Sequence, residues 1–226
     1  MAWFNKLLHF FTKYSISTIN SNLSRDELLR RSRILIVDDE EPALINDLKA
    51  AHFAVDYVPD IDNSNLQLVE GAIYDLILLD FSNVGKQFGD DEGLDLLRHI
   101  KRVNPATIIL SYTSKALTTD HADFYRQSDG VLSKDAGIQQ SMERIEEALQ
   151  KAHSIDNIWN GLLAVNNIRP DSDEDLRLQD LFVRSLTSKS KMNQLKNHLL
   201  TDGGSRLTEV LLEKSVELAV KSVMGL

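Results

Sequence analysis

Tyr74-Asp75-Leu76-Ile77-Leu78-Leu79-Asp80 is the stretch whose reading decides the fold. It is short, apolar through its middle and closed by an acid, the pattern of a strand buried on both faces of a parallel sheet. An acid in that place lies at the carboxyl edge of the sheet, where open α/β folds gather their chemistry. Earlier in the chain, Ile34-Leu35-Ile36-Val37-Asp38-Asp39-Glu40 repeats the design with two adjacent acids. With the two strands as neighbours, Asp38, Asp39 and Asp80 converge on one spot. Three carboxylates in so small a volume repel one another unless a cation sits among them, so the pattern points to a divalent metal held by oxygen ligands.

Outward from these strands, strand and helix alternate five times between Arg33 and Lys151. The spacing predicts strands near residues 34–37, 54–58, 74–79, 107–112 and 130–133. It predicts helices near 41–51, 63–70, 91–103, 117–127 and from 137 onward. In the third of these, Leu94, Leu97 and Ile100 hold core spacing, and Asn104-Pro105 stops the helix. Such alternation predicts an α/β domain with a doubly wound, five-stranded parallel sheet and right-handed crossovers.

From Gly137 the apolar residues Ile138, Met142, Ile145, Leu149, Ala152, Ile155, Trp159, Leu162 and Val165 recur three or four apart. Read as one helix of about 28 residues, the run is about 42 Å long, enough to carry the chain into a second domain. Two helices bent near His153-Ser154 are the alternative. After Pro170 the pattern is helical throughout: Leu178, Leu181, Phe182 and Leu186 form one apolar side, and Met192, Leu195, Leu199 and Leu200 a second. Gly203-Gly204 ends that second helix, and Leu207 to Val223 supplies a last one. The expected organisation is an amphipathic helical extension over 1–32, the α/β domain over 33–150 and a small all-α output or interaction domain over 151–226. In the extension, Trp3, Phe4, Leu7, Leu8, Phe11 and Tyr14 follow helical spacing beside Lys6 and Lys13. That face suits a membrane surface, a partner, a twin subunit or the chain's own second domain. Ser24 with Glu27 marks a further helix start before the first strand.

Net charge is −9, concentrated over 34–150, where 22 acidic residues face 9 basic ones; residues 151–226 balance at 10 and 10. No basic stripe marks a DNA-reading face, which argues against a transcription factor. The chain has no cysteine, so disulfides, thiolate metal sites and a cysteine nucleophile are excluded, and a reducing, cytoplasmic setting is the expectation. No apolar run reaches the roughly 20 residues that span a bilayer. Residues 151–226 contain no nucleophile–base pair and no clustered metal ligands, so the expectation there is a switch rather than an enzyme.

Asp38-Asp39 after the first strand, Asp80 after the third, Ser111 ending Ile108-Ile109-Leu110-Ser111 and Lys134 ending Gly130-Val131-Leu132-Ser133-Lys134 stand in order. Together with Gly93-Leu94-Asp95-Leu96-Leu97, they give residues 33–150 a pattern that resembles the receiver domain of two-component response regulators, a flavodoxin-like fold. The resemblance implies that Asp80 is a phospho-acceptor, phosphorylated by a histidine kinase or a phosphotransfer protein. It implies Mg²⁺ held by Asp38, Asp39, Asp80 and the backbone carbonyl of Ser82. Lys134 would pair with Asp80 and then with the phosphoryl oxygens, and the Ser111 hydroxyl would turn toward them as the switch. The implied protein is a phosphoprotein of phosphorelay signal transduction with at most slow self-dephosphorylation. Its helical domain would bind a protein partner or control self-association, for instance as a homodimer. A DNA-binding regulator with an atypical helical reader and a C-terminal enzyme are the alternatives.

Three departures stand out. Gly93 lies thirteen residues beyond Asp80, where the family usually has eight. Asp135 follows Lys134 in place of the usual Pro. Val131 holds the position of a switching Tyr or Phe, and Tyr112 is the nearest aromatic candidate. A phosphatase of the haloacid dehalogenase type needs Asp-x-Asp after its first strand, and the adjacent Asp38-Asp39 exclude it.

Overall fold

A computed structural model describes residues 16, 19, 22–114, 121–200 and 205–224. The aromatic stripe from Trp3 to Tyr14, the start of the helix expected over 117–127 and Gly203-Gly204 lie outside these residues. The chain divides into two compact units, one spanning Leu23–Ala152 and the other running from His153 and including Ile16 and Ile19.

In the first unit, β1 (Arg33–Val37), β2 (Ala54–Val58), β3 (Leu76–Leu79), β4 (Ile108–Thr113) and β5 (Gly130–Ser133) form one sheet of order β2-β1-β3-β4-β5. Every pairing is parallel. This is the flavodoxin-like order, with its switch point between β1 and β3. The helices are α1 (Arg25–Arg31), α2 (Leu44–Ala50), α3 (Gln67–Glu70), α4 (Gly93–Val103), α5 (Ala122–Gln127) and α6 (Ile138–Ala152).

Strand alternation builds two cores. Ile34 and Ile36 of β1 join Leu76, Leu78, Leu110, Leu48, Ile145 and Leu149 on one face. Leu35 and Val37 join Ile77, Leu79, Ile109, Leu97, Ile100 and Phe124 on the other. With a side-chain period of two and both faces covered, every residue from Ile34 to Val37 is fully buried, which explains the unbroken apolar runs. Leu23 and Leu28 enter the first core, so α1 packs within this unit. The carboxylate of Glu27 accepts hydrogen bonds from the Ser24 backbone N–H, at 2.9 Å, and from its hydroxyl, at 2.8 Å.

Two of the helices differ from the periodicity in a way that side-chain hydrogen bonds explain. The helix expected over 63–70 is reduced to α3, because Asp62, Ser64 and Asn65 tie the preceding turn together by side-chain hydrogen bonds. The single helix expected from 137 to 165 is two, α6 and α7 (Ile155–Val165). Ser154 is extended (φ −80°, ψ 145°) and its hydroxyl accepts the N–H of Asn157 at 3.2 Å, so a new N-cap interrupts an apolar pattern that runs on regardless.

The second unit continues with α8 (Asp173–Ser185), α9 (Lys189–Leu199) and α10 (Arg206–Met224). Ser172 and Ser188 cap α8 and α9 through their hydroxyls. Trp159 of α7 packs against Phe182 of α8 with ring centroids 5.3 Å apart and planes tilted by 55°, and its indole N–H donates to the buried Asp175 carboxylate at 2.9 Å. That carboxylate also accepts from the backbone of Asp171 and from Gln179, so one buried acid is satisfied by three neutral donors. No helix among the described residues is long and apolar enough to cross a membrane.

Candidate functional site

Pairing β1 with β3 in the register Val37↔Leu79 brings the acids that follow them side by side. The Asp80 backbone N–H donates to the Val37 carbonyl at 2.9 Å. Carboxylate oxygens of Asp38, Asp39 and Asp80 all lie within 4.8 Å of one another. Asp38 is wholly buried, Asp80 is 7% exposed and Asp39 faces solvent. Lys134, the residue after β5, reaches back across the sheet edge. Its Nζ is 2.7 Å from Asp38 Oδ2 and 3.5 Å from Asp80 Oδ1. Gly93 packs on the backbone that follows β3: a Cβ there would collide with the carbonyl oxygens of Asp80 and Phe81. The space is taken by a backbone bond from Gly93 N–H to the Phe81 carbonyl at 3.0 Å.

The electrostatics follow from burial. Removal from water pushes the Asp80 carboxyl above its ordinary range, with the Asp38 charge adding to the rise and the Lys134 ammonium opposing it. Burial alone would lower the Lys134 pKa, but the two carboxylates outweigh it and the net shift is upward. Lys134 therefore stays charged at neutral pH. One ammonium, 2.7 Å from Asp38 Oδ2 and 3.5 Å from Asp80 Oδ1, cannot balance three carboxylates. An all-oxygen set with a surplus of negative charge fits a hard divalent cation of the Mg²⁺ class.

Ser111 is engaged within the sheet. It pairs with Leu79 within the sheet, is fully buried, and donates its hydroxyl to Ser128 Oγ at 2.8 Å. Leu110 and Tyr112 face one core, so Ser111, and Thr113 two residues on, face the other. β4 runs two residues beyond Ser111, and the Thr113 carbonyl accepts the Lys134 N–H at 2.9 Å. Thr113 thus ends β4 with its backbone beside that of Lys134. Between Ser111 and Thr113, Tyr112 is 4% exposed and its ring lies under Lys134, with Nζ 5.5 Å from the ring centroid. Burial and the charges of Asp38 and Asp80 push its phenol up to about 12.

Ser82 lies partly buried in the loop leaving β3. That loop, the long one, is folded down rather than open. Val84 is fully buried in the second core, and Gly85 N–H donates to Asp60 Oδ1 at 2.5 Å. Gly85 takes φ +72°, and a Cβ there would strike Leu96, so glycine is required. Asn83 N–H donates to Glu92 at 2.7 Å, and the Asn83 side chain reaches Asp39, a contact that the sequence pattern did not signal.

No protein-family model matches the chain, and no curated protein matches it. Among solved structures, it is similar to a CheY-like response regulator receiver domain protein from Methanospirillum hungatei JF-1. Identity is 22%, over 54% of this chain and 95% of that one, with a TM-score of 0.45. It is similar to the receiver domain of NtrX from Brucella abortus at 21% identity, over 52% and 98% of the two chains, with a TM-score of 0.44. The signal receiver domain of an HD domain-containing protein from Pseudomonas fluorescens Pf-5 is 23% identical over 55% and 91%, with a TM-score of 0.46.

Proposed function

We propose that this chain is a two-component response regulator whose Asp80 accepts a phosphoryl group from a histidine kinase or a phosphotransfer protein. The observation that carries this reading is the convergence of Asp38, Asp39, Asp80 and Lys134 at the switch point of a 2-1-3-4-5 parallel sheet. Asp80 Oδ attacks phosphorus; the new O–P bond forms as the P–N bond to the donor imidazole breaks, and the electron pair leaves with that nitrogen. Lys134, held between Asp38 and Asp80, faces the charge that gathers on the phosphoryl oxygens. Asp38, Asp39, Asp80 and the carbonyl of Ser82 would hold Mg²⁺, which when bound neutralises that charge. Thr113, whose carbonyl accepts the Lys134 N–H, is a second candidate beside Ser111 for the hydroxyl that meets the phosphoryl group.

The chain acts as a cytoplasmic switch rather than a turnover enzyme. The helical unit from His153 onward carries the output through a protein partner or self-association. Its charge, balanced at 10 basic and 10 acidic residues over 151–226, favours a protein partner over DNA.

Purified protein given Mg²⁺ and acetyl phosphate, with intact-mass spectrometry as readout, should gain one phosphoryl group, and Asp80→Asn should gain none. An unmodified wild-type protein, with no response to beryllofluoride, would sink the reading. Light scattering with and without beryllofluoride reports whether self-association is the output.

A further inference from the structure

The longer loop after β3 places one polar side chain against the acids. Asn83 Nδ2 donates to Asp39 Oδ2 at 2.9 Å, and Lys86 Nζ donates to Asn83 Oδ1 at 3.0 Å. Both ends of the amide are chemically forced: a carboxylate only accepts, so it takes the NH₂ end, and an ammonium only donates, so it takes the oxygen. The backbone of Asn83 is equally fixed. Its φ is +61°, in the left-handed region that asparagine tolerates, and its N–H is held by Glu92. One residue on, Val84 is buried in the core, and Gly85 is bonded to Asp60.

Of the three acids, Asp39 is the exposed one. A carboxylate that must keep one oxygen aimed at a cation gains from a donor on the other. We propose that Asn83 is a positioning residue for the cation site: its amide holds Asp39 Oδ2, leaving Oδ1 to face the cation. On this view the extra length between Asp80 and Gly93 carries a fixed support for a metal ligand that would otherwise be loose. The inference rests on the reading of Asp38, Asp39 and Asp80 as a Mg²⁺ site.

The test is a double-mutant cycle on the full chain, with Mg²⁺ or Mn²⁺ binding measured by isothermal titration calorimetry. Asn83→Gly keeps the left-handed backbone while removing the amide. Loss of such a support typically weakens metal binding about 10- to 100-fold, the effect expected here. In an Asp39→Ala background, the same change should have no further effect, because Asn83 acts through Asp39. An equal loss in both backgrounds would assign the effect to loop folding and overturn the inference. Unchanged or tighter binding by Asn83→Gly would overturn it as well, the latter by making the amide a competitor of the cation. Wild-type protein that binds neither ion removes the parent reading and this inference with it.

Discussion

Lys134 Nζ lies closer to Asp38 than to Asp80, at 2.7 Å against 3.5 Å. The ammonium therefore first compensates the one carboxylate that water does not reach, and only secondarily the residue proposed as phospho-acceptor. A buried carboxylate stripped of its partner costs several kcal/mol, so Lys134 has a structural duty beside any chemical one.

Lys134→Met separates the two duties. It leaves Asp38 buried and uncompensated, and we expect unfolding free energy at pH 7 to fall by about 2–4 kcal/mol, read by urea denaturation. Saturating Mg²⁺ should restore part of that loss while phosphoryl uptake from acetyl phosphate stays low. Full recovery of uptake with Mg²⁺ would show that the ammonium has no part in the transfer.

The raised Asp80 pKa sets a pH dependence. Folding favours the protonated form of this carboxyl, so its contribution to stability is greatest below the unfolded value of about 3.9 and is lost as pH rises through the higher folded value. Asp80→Asn removes a charge that the fold resists. In EDTA the variant should be more stable than wild type at pH 7, and the difference should shrink as pH falls toward 4. Equal stability across that range would mean that Lys134 already cancels the cost.

Ser111 and Thr113 give opposite expectations. Ser111→Ala removes a hydrogen bond to Ser128, which keeps the carbonyls of Tyr125 and Gly130 as acceptors, so the loss should be about 1 kcal/mol. Phosphoryl uptake should be unchanged in that variant. Thr113→Ala should alter the rate of uptake or the response to beryllofluoride, followed by the chemical shift of the Lys134 amide. A reversed pattern would assign the switch role to Ser111.

Much of this molecule was written locally. The apolar runs ending at Asp38 and Asp80 fixed two buried strands with acids at their carboxyl ends, because period-two burial and a charged terminus are properties of neighbouring residues. Five strand–helix alternations led to a parallel sheet for the same reason, and Lys134 was legible as the residue ending the fifth strand. The capping serines show where local pattern falls short: apolar spacing runs through His153-Ser154, yet a single hydroxyl bond to Asn157 starts a new helix there.

Only tertiary structure decided the rest. Which strand lies beside which, and in what register, is set by ladders between residues far apart, and a shift of one residue turns every side chain to the other face. Contacts between distant residues likewise bond the Ser111 hydroxyl to Ser128 and bring the backbone of Thr113 to that of Lys134. Distance along the chain is also why the long loop could be counted but not interpreted: the bond from Asn83 to Asp39 joins residues 44 apart. It exists because Val84 is buried in one core and Gly85 is tied to Asp60, and a sequence pattern read along the chain carries no record of that folding back.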